Sequence, residues 1–139
     1  MFSFNLTTYS EGKNYPKDAF FILNKGVNSG KPLKKPCPNC FVCVANDKPS
    51  AEKLFWVVFA LHQGKQFHQA LVGSVIPFIR KKDLIEIIQL GLDSSLSKPE
   101  KFESTVIQLR QLNQQEQNFA KMQKAIKDLK TIMVHKLIA

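Results

Sequence analysis

The sequence predicts an α+β fold: a small, mostly antiparallel sheet packed by two helices, followed by a long C-terminal helix or helical hairpin. Three observations carry this expectation. Residues 2–8 alternate, with Phe2, Phe4 and Leu6 on one side and Ser3, Asn5 and Thr7 on the other, the period of a strand with one wet face. Two short apolar runs, Phe20–Leu23 and Phe41–Ala45, are bounded by glycine, proline and asparagine and read as buried strands. Helix-start signals then recur around Asp47, Asp83 and Ser97, and neither proline nor glycine follows Pro99.

Taken in order, strand 2–8 ends at a turn marked by Gly12, Asn14 and Pro16. Strand 19–24 leads into a loop rich in glycine, proline and lysine, and strand 40–45 follows it. Pro49 suits the first turn of a helix over about 50–64, with Asp47 or Ser50 at its cap and Gly64 at its stop. Residues 72–80 read as a fourth strand, held to an edge or a bulge by Pro77, which has no ladder donor. Asp83 and Glu86 form a capping-box-like start for a helix over 83–90 that Gly91 would end. Residues 93–98 read as a polar linker, dividing a core domain, 1–92, from a helical extension, 93–139.

In the extension, Ser97-Lys98-Pro99-Glu100 opens a helix reaching about residue 137. Phe102, Val106 and Leu109 form one stripe. Leu112, Phe119, Ile126 and Met133 then fall seven apart, with Met122 and Leu129 at the three-residue offset. Glutamines and asparagines from Gln108 to Asn118 weaken this seam. Either the helix breaks there into a hairpin, or its distal half packs on a partner, including a second copy.

The formal charge is +9, from 20 basic and 11 acidic residues, and only Arg80 and Arg110 are arginine. Lysine is a point charge, whereas arginine offers the planar fork that reads phosphate or guanine bidentately. Such a surface holds RNA or DNA non-specifically, or meets an acidic protein face or nucleoprotein complex, more readily than it reads bases; a merely soluble surface is the plainer alternative. No segment approaches the ~20 consecutive apolar residues of a membrane span, so no membrane partner is expected. Nothing at the start resembles a secretory signal, and three cysteines within seven residues do not form a secreted disulfide framework. A cytoplasmic protein is expected.

The cysteines Cys37, Cys40 and Cys43 belong to the loop and the strand after it. Cys37-Pro-Asn-Cys40 has the spacing of a zinc knuckle, so a structural zinc would use Cys37, Cys40 and Cys43 with a fourth ligand from elsewhere. No second Cys-x-x-Cys exists to supply one. A redox dithiol at Cys37 and Cys40 and purely structural thiols are the other readings, and no cofactor is required. Gly26–Lys31 evokes a phosphate loop but fails it twice: three residues separate the glycines, and Pro32 replaces the magnesium-binding hydroxyl residue. What survives is a glycine turn with exposed amides beside Lys25, Lys31, Lys34 and Lys35, able to grip phosphates or an acidic surface, or simply solvated. Arg80, Lys81 and Lys82 make a second basic cluster. Lys121 and Lys124 begin a three-residue lysine repeat, either a solvated helix face or a further basic track. His62 and His68 cannot form a one-turn pair, and no nucleophile–base–orienter set assembles, so the expectation is a protein without catalytic residues.

At NSGKPLKKPCPNCFVC and again at LVGSVIPFIR the chain resembles a family of short uncharacterised proteins from Bacteroidota, a domain of unknown function, over about residues 18–90. The resemblance implies no activity, but it suggests a bacterial, mobile-element origin. Small basic proteins of that origin include inhibitors of RNA-guided nucleases of the anti-CRISPR type. The expectation is therefore a non-enzymatic binding protein whose basic surface engages nucleic acid or a nucleic-acid–protein complex. The alternative is a structural or oligomeric protein acting through its C-terminal helix.

Overall fold

The computed structural model describes residues 3–139; Phe2, read above as part of the first strand, lies outside them. The elements are β1 (Phe4–Thr8), β2 (Phe20–Leu23), β3 (Pro32–Leu33), β4 (Cys40–Ala45), α1 (Lys48–Gln63), β5 (Leu71–Val72), β6 (Phe78–Ile79), α2 (Lys81–Ser97) and α3 (Pro99–Ile138). The fold is α+β, as the sequence predicts. Contacts divide the chain into two compact units, Met1–Pro99 and Glu100–Ala139.

In the first unit β4 is central. The sheet order is β1-β4-β2-β3 and every pairing is antiparallel. Register puts Leu6 and Phe20 beside Cys43 on one face, where the Phe20 ring meets Phe55 of α1 edge-on at 5.4 Å. The other face carries Phe21, Cys40 and Val42, with Tyr9, Tyr15 and Leu33 packed against them. Both tyrosine rings meet Phe21 edge-on, at 5.9 and 6.4 Å. A strand covered on both faces loses the polar alternation of a half-wet one, which is why β2 and β4 read as unbroken apolar runs while β1 alternates.

The fourth strand of this sheet is not 72–80. It is the two-residue β3, inside the loop. Pro32 has no N–H to donate, and β3 is an edge strand where that costs least. Residues 71–79 fold on themselves as the β5–β6 hairpin. Gly73 turns there with φ +103°, and a side chain at this position would come within 2.8 Å of the Ile76 carbonyl oxygen.

Helix α1 starts where Asp47 accepts a hydrogen bond from the Ser50 amide at 2.8 Å, so Asp47 is its cap. It stops at Gly64, but Lys65, not the glycine, takes the left-handed conformation (φ 58°). Helix α2 departs further from expectation. It starts at Lys81 with Arg80 at the cap position and no side-chain capping bond, Asp83 lying inside the first turn. It also runs through Gly91 and the stretch read as a linker. Gly91 ends nothing: a Cβ there would lie 2.8 Å from Leu61 Cδ1 and 3.2 Å from Val57 Cγ1 of α1. The glycine is a helix-crossing point, and Leu84, Ile88 and Leu92 on the same helix are completely buried.

The second unit is helical. Pro99–Ile138 is one helix of 40 residues, so of the two alternatives left open by the sequence it is the single helix and not the hairpin. Val106 is its buried residue among those described.

Two backbone positions test this account. Lys65→Gly should stabilise the protein by about 1 kcal/mol, because a non-glycine residue in the left-handed region costs roughly that much. Gly30→Ala should destabilise it by about 3 kcal/mol or more, because Gly30 has φ +98° and a Cβ there would enter the Phe67 ring. Thermal or urea melts of the two variants give the comparison.

Candidate nucleic-acid interface

The loop after β2 is closed by its own backbone. Leu23 and residues 30–31 exchange hydrogen bonds, Gly30 N–H to Leu23 O at 2.7 Å and Leu23 N–H to Lys31 O at 3.0 Å. Inside the closure, Ser29 donates twice to Gly26 O, from its amide at 3.2 Å and its hydroxyl at 2.7 Å, and the Lys31 amide donates to Asn28 O at 3.0 Å. The amides of Gly26, Ser29, Gly30 and Lys31 are thus spent within the protein, which corrects the expectation of a turn presenting them to phosphate. Any anion held here meets lysine side chains instead.

The same loop docks on the β5–β6 hairpin. Gly26 N–H donates to Pro77 O at 2.7 Å, Ile79 N–H donates to Asn24 O at 3.2 Å, and Lys25 bridges Phe78 in antiparallel fashion. The two sequence motifs singled out above are therefore neighbours in space, and Lys25 lies beside the segment leading to Arg80, Lys81 and Lys82. All four are exposed. Three cations at the start of a helix sit where the dipole is already positive, an unfavourable placement for a positive side chain in the absence of an anion. Beside them an apolar tip stands out in solvent: Val75 is 89% exposed, Ile76 62% and Val27 65%. Reading 72–80 as a single strand hid this tip; the Gly73-Ser74 pair before Pro77 is the signal that marks a turn there.

The remaining expected residues are spread more widely. Lys31 precedes β3 near His62, whose pKa is lowered by burial and further by the charges of Lys31 and His68. Lys34 places its ammonium 5.5 Å from the centre of the Phe55 ring, beside an open cavity of about 310 Å³ also lined by Lys17, Lys48, Glu52 and Trp56. Neither Lys17 nor Lys48 stands out in the sequence, since each is an isolated lysine next to a turn. Lys35 is exposed. Lys121 and Lys124 belong to the helical unit, where Lys124 pairs with Asp128 at 3.0 Å.

The cysteines do not converge. Residues 40 and 43 of one strand point to opposite faces, Cys40 into the tyrosine-covered cluster and Cys43 to the α1 side beside Phe20. Burial pushes the Cys43 thiol up to about 12. Cys37 and Cys40 do meet: the Cys40 thiol donates to the Cys37 carbonyl at 3.0 Å, and burial, more than the neighbouring Cys37, raises its pKa. Cys43 therefore cannot join the other two on one metal ion, and among the described residues no group of three or more His, Cys, Asp or Glu side chains could hold one. Nor, among those residues, is any helix long and apolar enough to cross a membrane.

Comparison with known protein families finds a match over residues 6–136 to a family described as of unknown function, DUF6943. The chain belongs to this family. The DUF6943 match extends well beyond the residues 18–90 that carried the resemblance and takes in the C-terminal helix, whose periodic side chains offer no spaced glycine, proline or cysteine to recognise by eye. Comparisons with curated proteins and with solved structures give no match.

Two measurements check the burial of these groups. A thiol reagent should titrate one cysteine, Cys37, rapidly in the native protein and all three in denaturant, because thiolate formation at the buried pair is suppressed. The lowered His62 pKa means that the unfolded chain takes up a proton which the folded chain resists. Stability should therefore fall as pH drops from about 7 through the usual histidine range, and His62→Gln should flatten that slope in pH-dependent melts.

Proposed function

We propose that this protein is a non-enzymatic binding protein whose basic surface, centred on Lys25, Arg80, Lys81 and Lys82, engages nucleic acid or a nucleic-acid–protein complex. The observation supporting this most directly is the docking of the lysine-bearing loop on the hairpin that leads into α2. It gathers cations from two distant stretches at a helix start, where cations are otherwise unfavourable and an anion is welcome. Lys31, Lys34 and Lys35, which flank β3, add exposed positive charge apart from this cluster. Lysines of this kind position a phosphate backbone without reading sequence. The apolar tip at Val27, Val75 and Ile76 favours the complex over bare nucleic acid, because aliphatic side chains gain nothing from phosphates but can bury against protein. An RNA-guided nuclease of a host, inhibited by a mobile-element protein, is a target of this class.

A second reading, an oligomeric interaction protein acting through α3, has its own support. Leu112, Phe119, Met122, Ile126, Leu129 and Met133 are each more than half exposed, a continuous apolar stripe on one helix.

The first reading is tested by fluorescence anisotropy with labelled single-stranded RNA and DNA at rising salt. Binding should weaken steeply between about 50 and 200 mM salt, and reversing Arg80, Lys81 and Lys82 to glutamate should lower affinity at least about tenfold and reduce the salt slope by about two. The same reversal should leave the melting temperature unchanged or raised, since acidic side chains suit a helix start. No binding at the lowest salt would overturn direct nucleic-acid recognition.

A further inference from the structure

We propose that α3 pairs with the α3 of a second copy of the chain in antiparallel orientation, centred near Lys124, so that Glu116 of each helix faces Lys130 of the other. This rests on the second reading above and adds to it the partner and the register. The apolar residues 112, 119, 126 and 133 repeat every seven positions, with 122 and 129 at the alternate offset, the pattern that keeps one seam facing a partner helix. All six are exposed along an unbroken helix.

Charge selects the orientation. In a parallel, in-register pair the seam sets Lys136 against Lys136 and Gln115 against Gln115. The flanking positions then match Asn118 with Gln123, Ala125 with Lys130, and Ile132 with Leu137, so no opposite charges meet. Turned antiparallel, Phe119 packs on Leu129 and Met122 on Ile126, each twice by symmetry. Gln115 meets Met133, and the Lys136 stem lies over Leu112 with its ammonium free to reach water. Glu116 then flanks Lys130 at both ends of the seam, and the two helix dipoles oppose. Lys121, Lys124 and Lys127 lie at outer positions of the repeat. Lys124 is already paired with Asp128 of its own helix at 3.0 Å, so this lysine run does not oppose closure. An interface of this kind is isologous and closes at two copies.

Light scattering on the full chain should give twice the 15.8 kDa mass of one copy; a monomer at about 100 μM overturns both the pairing and the reading beneath it. Orientation is read separately, in a Cys37→Ser background with oxidised glutathione as oxidant. Mixed Phe119→Cys and Leu129→Cys chains should cross-link as a heterodimer. Phe119→Cys alone should not, because its two copies lie about 15 Å apart along the axis. A homodisulfide from Phe119→Cys alone would overturn the antiparallel register while leaving self-association standing. Glu116→Lys should weaken the dimer at least about fivefold, and adding Lys130→Glu should restore it; failure of that rescue also overturns the register.

Discussion

The contact on which the candidate interface depends is a phenylalanine ring lying on a bare backbone. Phe67 is fully buried, and the space a side chain at Gly30 would need is occupied by its ring. The left-handed conformation at Gly30 lets the chain turn back toward Leu23, and the missing Cβ lets the loop settle on the core. From that seat the loop reaches the hairpin: Gly26 bonds to Pro77 and Asn24 to Ile79, so the position of Lys25 relative to Arg80 follows from a packing event several residues away. The backbone that carries Lys25 is thus held in place by the fold itself, with no ligand needed to position it.

The loop also shows how backbone polarity limits function. A glycine turn is a natural anion nest only while its amides are unspent. Here the amides of Ser29, Gly30 and Lys31 close the loop on itself and that of Gly26 bonds to the hairpin, so side chains are what remain to meet any anion. That suits an extended, sequence-indifferent polyanion better than a single tightly enclosed phosphate.

Much of the architecture was legible in the sequence because it follows from periodicity. The alternation of β1, the unbroken apolar runs of β2 and β4, the Asp47–Pro49 helix start and the proline-free stretch after Pro99 all report local rules. What misled was the meaning of glycines. Gly91 resembles a helix stop, but Leu61 and Val57 of a different helix require its small size. Gly64 lies at a true stop, yet the left-handed residue is its neighbour Lys65. Pro32, a residue usually read as a strand breaker, pairs with Ile22 at the sheet edge. Of the candidate site, the residue types could be read from the chain, and their grouping could not. Lys25 and Arg80 are brought together by hydrogen bonds between backbones more than fifty residues apart, and Cys40 and Cys43 are parted by the pleat of a single strand.

Helix α2 carries a glycine in its interior, three cations at its positive end and no side-chain cap. Each of these opposes helix formation in an isolated segment. Helix α1, by contrast, has a capping aspartate and a proline in its first turn. α1 thus has a local cap that α2 lacks, and α2 is held by packing, with Gly91 seated against Leu61 and Val57 of α1. The basic helix start therefore leans on tertiary packing more than on a local cap, and a change in the α1–α2 contact is felt at the cations.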